Sequence, residues 1–221
     1  MARQFSEKKR NAEYRIQKPV ILLITEGRNV TECLYFQQFQ QQHSPYNIRI
    51  LASGSSTDPE GMLDKLDRFW KDHDMDLKKG DKGFVVLDLD CNDQKATLIK
   101  KLENGSKFSH FIVSNPCFEI WFLLHYRYTT HAFNNASDVI HELRRHISNY
   151  EKTMDVSRLL SDKTDIAYIN AKKLEKYFDE NGATWPSNQS NPRTDVPDIL
   201  DVLNHLNRHD IKTKQERSDV N

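Results

Sequence analysis

The chain lacks the features that would mark a secreted, membrane or zinc-binding protein. Its three cysteines lie far apart in 221 residues and form no CxxC pair or other zinc-ligand spacing. The sequence shows no signal peptide, and no apolar run approaches the roughly 18 residues that a membrane-spanning helix needs. We therefore expect a protein of the reducing cytoplasm without a membrane partner.

An excess of charge of one sign is also lacking, because 32 basic and 32 acidic residues cancel. The distribution is uneven, and residues 1–18 hold six lysines and arginines against Glu7 and Glu13. Such a basic tail could contact the phosphates of a nucleic acid, but basic tails are often simply solvated. The charge distribution alone does not decide whether the protein binds a nucleic acid.

The first half of the chain alternates strand-like and helix-like segments. Apolar runs predict four strands, at residues 19–25, 47–52, 83–90 and 108–113. Apolar residues at helical spacing predict helices between them, over 31–43, from 59 to about 70, and over 94–102. This alternation predicts an α/β fold with a parallel sheet of about four strands flanked by helices.

The second half shows helical patterns only, over residues 136–150, 166–180 and 195–208. We therefore expect a basic N-terminal tail (1–18), an α/β core (19–130) and a helical C-terminal region (131–221). Several basic side chains of this last region could face a substrate, although a solvated helix face is the more common reason for them; they include Arg144, Arg145, Lys172, Lys173 and Lys176.

Two aspartates end the third predicted strand. Asp88 and Asp90 are two residues apart, and extended backbone would point both side chains to the same side. Like charges this close repel unless a cation lies between them, and Mg²⁺ prefers carboxylate oxygens. In open α/β sheets ligands bind at the carboxyl ends of the strands. The alternative is that Asp90 caps the next helix and Asp88 has no role.

A third acid, Glu26, lies just past the first predicted strand, where Gly27 permits a tight turn into the next helix. Asn29 or Thr31 could cap that helix. If the first and third strands are neighbours in the sheet, the Glu26 carboxylate converges with the aspartate pair on one edge.

A fourth acid, Glu119, lies near the start of a nearly all-apolar helix predicted over residues 117–126. Asn115 is placed to cap this helix, and Pro116 fits its first turn. Burying a carboxylate here is costly unless it meets a metal, a hydrogen bond or the helix dipole. Glu119 therefore either complements the dipole or has a functional role.

A glutamate after the first strand and an Asp-x-Asp after a later one resemble the Toprim arrangement. More closely, the chain resembles RloB-like proteins over roughly residues 19–206. Four motifs carry this resemblance: Glu26-Gly27-x-x-x-Thr31-Glu32-x-x-Tyr35-Phe36, Asp88-x-Asp90, Ser114-Asn115-Pro116-x-Phe118-Glu119-x-Trp121 and Asn191-Pro192-x-Thr194-x-Val196. The family name marks proteins linked to bacterial restriction and phage-defence loci, some encoded beside an ABC-type or AAA-type ATPase.

The resemblance implies a Toprim-type effector that cleaves nucleic-acid phosphodiester bonds with Mg²⁺ or Mn²⁺. It implies that Glu26 is a metal ligand or a general acid/base, and that Asp88 and Asp90 are metal ligands. Glu119 would complete a second metal site or orient the first. An ATPase encoded nearby is the implied protein partner.

Two other functions compete with this hypothesis. The acids could bind Mg²⁺ in a non-catalytic partner or sensor subunit of a defence ATPase. A receiver-type phosphotransfer domain is disfavoured, because it needs a lysine after a late apolar strand and none is found. A topoisomerase is disfavoured because no tyrosine is marked as its nucleophile. The sequence leaves open whether DNA or RNA, including transfer RNA, is cut, what triggers activity, and whether the chain is a homo-oligomer.

Overall fold

The fold is built on a five-stranded sheet whose long strands are all parallel. The computed structural model describes residues 18–26, 30–54 and 58–218. The strands are β1 (Val20–Thr25), β2 (Asn47–Ala52), β3 (Lys82–Asp88), β4 (Ser109–Asn115) and β5 (Arg193–Thr194), in the order β2-β1-β3-β4-β5. The predicted α/β class and its four parallel strands are confirmed. The two-residue β5 pairs antiparallel with the end of β4 and was not predicted.

Eight helices accompany the sheet in the described part of the chain. They are α1 (Val30–Gln37), α2 (Pro59–Asp72), α3 (Asp93–Gly105), α4 (Glu119–Leu124), α5 (Ala136–Leu143), α6 (Ser157–Leu160), α7 (Thr164–Glu180) and α8 (Val196–Ser218). Short 3₁₀ turns lie at Leu77–Lys79 and Ser161–Lys163. None of these helices is long and apolar enough to cross a membrane.

The two faces of the sheet are covered by different helices, because successive residues of a strand point to opposite faces. On one face, Leu22 and Ile24 of β1 pack in a core cluster with residues of α2 and α3. On the other face, Ile21 and Leu23 share a larger cluster with α1, α4, α5, α7 and α8. Residues after 130 therefore belong to the same core as β1, and the domain boundary near 130 stays a prediction.

The helix start predicted from the local sequence is right for α2, and the capping residue predicted for α4 is wrong. Asp58 caps α2 by accepting a hydrogen bond from the Gly61 backbone N–H at 2.8 Å, with Pro59 in the first turn. Asn115 does not cap α4, contrary to prediction. It ends β4, and its amide donates to the carbonyl oxygens of Ser187 and Ser190. The predictions for Gly27, Asn29 and the tail up to residue 17 lie outside the described residues.

Candidate acidic site at the carboxyl edge of the sheet

The four predicted acids gather at one edge of the sheet. Strands β1 and β3 are parallel neighbours in which Thr25 is level with Val86, so Glu26 and Asp88 lie at the same end. Strand β4 runs parallel to β3 with Ser114 level with Asp88, and the chain then leads directly into α4 and Glu119. The structure therefore confirms that the first and third strands are neighbours in the sheet.

Strand alternation divides these acids between the two faces. Asp88 follows the alternation of Phe84 and Val86, which face the core cluster containing α1 and α4. Glu26 follows Ile24, which faces the cluster containing α3. The carboxylates therefore form two adjacent groups at one edge, and Glu26 is close enough to Asp88 to raise its pKa.

The first group, here called the rim cluster, consists of Glu26, Asp90 and Lys95. The Lys95 ammonium donates to Glu26 Oε1 at 2.6 Å and to Asp90 Oδ2 at 3.1 Å. Burial raises the pKa of Glu26, and Lys95 opposes this shift without cancelling it. Burial alone would lower the pKa of Lys95, but the carboxylates of Glu26 and Asp90 raise it by more, so the pKa lies above its ordinary value. An internal ammonium thus lies where the sequence predicted a divalent cation between carboxylates.

The Asp90 side chain does not point to the same side as the Asp88 side chain, because the backbone turns after β3. Both Asp90 and Cys91 have positive φ, at 57° and 55°. The turn is held from β4, since the Asp90 backbone N–H donates to the Pro116 carbonyl oxygen at 2.9 Å. The Cys91 N–H donates to Asn115 Oδ1 at 3.2 Å. As a result the Asp90 side chain is 59% exposed, whereas Asp88 is buried.

The second group, here called the buried acid cluster, consists of Glu32, Asp88 and Glu119 with Tyr150 and Lys152. All three acids are at most 5% exposed. The Tyr150 hydroxyl donates to Glu119 Oε1 at 3.2 Å, and the Lys152 ammonium lies 3.5 Å from the same oxygen. Glu119 Oε2 is buried and has no hydrogen-bond partner among the described residues.

The electrostatics of this cluster are dominated by burial and by like charge. Burial raises the pKa of Asp88 well above its ordinary value, and the carboxylates of Glu32, Glu119 and then Glu26 raise it further. Lys152 alone among the named neighbours opposes the shift. Asp88 Oδ1 also accepts the Phe118 backbone N–H at 2.7 Å, which anchors it to the start of α4. Burial and the neighbouring carboxylates therefore disfavour the charged form of Asp88.

Tyr150 and Lys152 were not predicted as site residues. They lie in the loop between α5 and α6, about 30 residues after the acid that they contact. The loop is tied to α1, because the Thr31 hydroxyl donates to the Lys152 carbonyl oxygen at 2.6 Å. Thr31 therefore orders this loop rather than capping its own helix. The one sequence signal was that Glu119, in an apolar helix, needed a partner.

A family model described as RloB-like protein matches residues 21–203, most of the chain. The chain belongs to the RloB-like family. Comparisons with curated proteins and with solved structures found no match.

In this RloB-like chain, aromatic and amide residues of the four motifs pack within the core. Tyr35 and Trp121 are buried and meet edge to face with ring centroids 6.2 Å apart. In the last motif, the Asn191 amide donates to the Phe133 carbonyl oxygen at 2.7 Å. The Asn191 side-chain Oδ1 accepts the Phe133 backbone N–H at 3.1 Å. These residues position the edge and the loops around it rather than supplying charge.

The fit to a metal ion is mixed. Carboxylate oxygens are the ligands that Mg²⁺ and Mn²⁺ prefer, and the buried Glu119 Oε2, which no described residue contacts by a hydrogen bond, fits that role. As the side chains stand, however, no three His, Cys, Asp or Glu residues of the described segments are grouped to hold a metal ion. The donors therefore fit in type and charge but do not form a closed coordination shell.

Several basic side chains of the C-terminal region that could have faced a substrate are engaged within the protein. Lys172 lies 3.0 Å from Glu175 and 3.2 Å from Asp198. Arg145 pairs with Glu142, and Arg144 donates to the Tyr150 carbonyl oxygen at 3.0 Å, where it supports the loop of the buried acid cluster.

Proposed function

We propose that this protein is a metal-dependent nuclease of the Toprim type, acting in the cytoplasm as an effector of bacterial anti-phage defence. The observation that carries the proposal is the buried acid cluster, in which Asp88 and Glu119 are desolvated close together and Glu119 Oε2 has no hydrogen-bond partner among the described residues. Carboxylates are gathered in this way at a cost in stability, and a divalent cation offsets that cost. The position at the carboxyl edge of a parallel sheet is also the usual position of a ligand.

Bound Mg²⁺ or Mn²⁺ would offset the negative charge that grows on a phosphodiester in its transition state and lower the pKa of a bound water. Asp88 and Glu119, with Glu32 beside them, are the residues that would hold it. Glu26, which is close enough to Asp88 to raise its pKa, would join them if Lys95 released it. Tyr150 orients the Glu119 carboxylate, and the partly exposed Lys152 is placed to attract a phosphate group.

A second candidate function is a non-catalytic, metal-binding partner or sensor subunit of a defence ATPase. It is favoured by the rim cluster, because Lys95 already forms ion pairs with both Glu26 and Asp90. The hydrogen bond from the Phe118 N–H to Asp88 would serve a structural role equally well. The two candidates differ in whether the purified protein breaks a phosphodiester bond.

The test is to incubate purified protein with Mg²⁺ or Mn²⁺ and duplex DNA, messenger RNA or transfer RNA, with and without the ATPase encoded nearby. We expect cleavage that EDTA stops and that Asp88→Asn lowers by about 10²–10³-fold, the usual cost of losing one electrostatic stabiliser of a transition state. The matched control, Asp72→Asn, changes an exposed acid at the end of α2 and should cleave like wild type.

Absence of cleavage in every arm, or equal cleavage by the Asp88→Asn variant, would contradict the nuclease. In cells, the chain expressed with its ATPase should protect against a phage or arrest growth. A variant carrying Asp88→Ala and Asp90→Ala should be soluble and inactive in the same assay.

A further inference from the structure

The outer face of α7 is unusual for a solvated helix. Its inner face is fixed to the core by buried residues, namely Ala167, Asn170, Ala171, Leu174 and Phe178. The Asn170 amide donates to the Leu124 carbonyl oxygen at 2.8 Å, and Arg193 pairs with Asp179 at 2.8 Å. The helix is therefore held firmly, and what its outer face presents is determined by the fold.

That outer face presents large apolar side chains in one stripe. Ile166 and Ile169 are 49% and 51% exposed, and Tyr177 is also exposed. Together with the stem of Lys173 they follow steps of three, four and four residues, which is one face of a helix. Tyr128, another exposed ring, lies close enough to interact with the Tyr177 hydroxyl. Single exposed apolar residues are normal on a protein surface, but a contiguous stripe indicates an interaction surface.

Charges beside the stripe indicate which partner fits it. Asp165 and Lys176 are eleven residues apart, which at 3.6 residues per turn brings them to within about 20° of each other around the helix. They therefore lie on the same side of the stripe, one near each end. When two copies of a helix pack antiparallel about a twofold axis, this side of one copy meets the same side of the other. Asp165 then faces Lys176 of the second copy, and the contact occurs twice.

We propose that the protein forms a homodimer through antiparallel packing of the α7 outer faces. Ile166 of one copy lies near Tyr177 of the other, and the two Ile169 side chains fill the centre. The only charged contact of Lys176 in the described segments is Glu180, at 3.7 Å between two exposed side chains, and so weak a pair yields readily to another acid. This inference does not depend on the nuclease proposal.

The first test is the mass of the purified full chain in solution, by light scattering after size exclusion, over a range of concentrations. We expect twice the mass of one chain for wild type and the single-chain mass for Ile169→Glu. The matched control, Leu77→Glu, changes another exposed apolar residue far from α7 in the chain and should leave the dimer intact. Circular dichroism melts verify that both variants are folded.

The second test exchanges the charges. Asp165→Lys alone and Lys176→Glu alone should each raise the dimer dissociation constant about tenfold or more, because each sets like charges opposite each other twice. An equimolar mixture of the two variants should recover dimers, since both contacts then become attractive. A monomeric wild type, dimers unaffected by Ile169→Glu, or a mixture no better than its components would overturn the proposal, whatever the outcome of the cleavage assay.

Discussion

The rim cluster and the buried acid cluster lie at the same edge of the sheet but differ in which groups contact their carboxylates. In the rim cluster, Lys95 contacts both acids, and Asp90 remains largely exposed to water. In the buried acid cluster, three desolvated acids share one partly exposed lysine, and Glu119 Oε2 has no hydrogen-bond partner among the described residues. The lysine of the first group contacts both of its acids directly, whereas the lysine of the second contacts Glu119 and leaves Asp88 without an ion pair among the described residues.

This difference indicates which acids matter most for a cation. A metal ion at Glu26 or Asp90 would compete with the Lys95 ammonium, which lies 2.6 and 3.1 Å from them. Lys152 lies farther from Glu119 Oε1, at 3.5 Å, and Glu119 Oε2 has no hydrogen-bond partner among the described residues. A buried carboxylate with excess like charge gains more from a divalent ion. We therefore expect the metal to depend on Asp88 and Glu119 more than on Glu26 and Asp90.

The largest expected effect concerns the response of thermal stability to metal. Saturating Mg²⁺, at about one hundred times its dissociation constant, should stabilise wild type by about 2.7 kcal/mol, or about 5–10 °C in a domain of this size. Glu119→Gln should lose most of this gain, because it removes a charge while keeping an acceptor for Tyr150. Melts with and without Mg²⁺ measure it, with Asp72→Asn as control. If Mg²⁺ stabilised Glu119→Gln as much as wild type, Glu119 would not be a metal ligand and would only complement the helix dipole.

A smaller effect is expected in the rim cluster. Lys95→Met should destabilise the metal-free protein by about 1–3 kcal/mol, because it leaves the mostly buried Glu26 carboxylate without its partner. Urea unfolding measures the change. Lys101→Met, an exposed position on the same helix, should stay within about 0.5 kcal/mol of wild type. Equal stability of the two variants would mean that the rim ion pairs contribute nothing.

The smallest effect is the pH dependence of Asp88. Because burial and neighbouring acids raise its pKa above the ordinary 3.8, the folded state binds a proton that the unfolded state has released, and stability falls as pH rises through that interval. In EDTA, Asp88→Asn should therefore be more stable than wild type at pH 7, by about 1 kcal/mol or about 2–4 °C. The difference should vanish below about pH 4. An advantage that grows in acid would contradict this sign.

Much of the fold could be predicted because strands β1 and β3 are apolar on both faces, which is typical of buried parallel strands. Strand β5 could not, because Arg193 and Thr194 are only two residues and are extended only by pairing with β4. The helices predicted for the second half of the chain exist, but some of their lengths differ from the prediction. The helix predicted over 136–150 ends at Leu143, where the chain turns to deliver the loop with Tyr150.

The candidate site was predicted in part. Glu26, Asp88 and Asp90 were predicted from their positions after apolar strands and Glu119 from its place in an apolar helix, and the structure places all four at one edge. Glu32 was not predicted as a site residue. Their division into two clusters depends on facts that are not local in sequence. The turn at Asp90 is held by Pro116, and Lys152 reaches Glu119 across more than thirty residues. No spacing rule connects such residues, so only the folded chain shows the contact.

The central claim is that the buried acid cluster, and above all Asp88, is where a divalent cation binds. Titration calorimetry of the metal-free protein with Mn²⁺ tests it most directly, on wild type, Asp88→Asn and Asp90→Asn. We predict that wild type binds Mn²⁺, that Asp88→Asn loses measurable binding, and that Asp90→Asn binds within about tenfold of wild type, or about 1.4 kcal/mol. Binding by Asp88→Asn as tight as that of wild type, or no binding by wild type, would contradict the account.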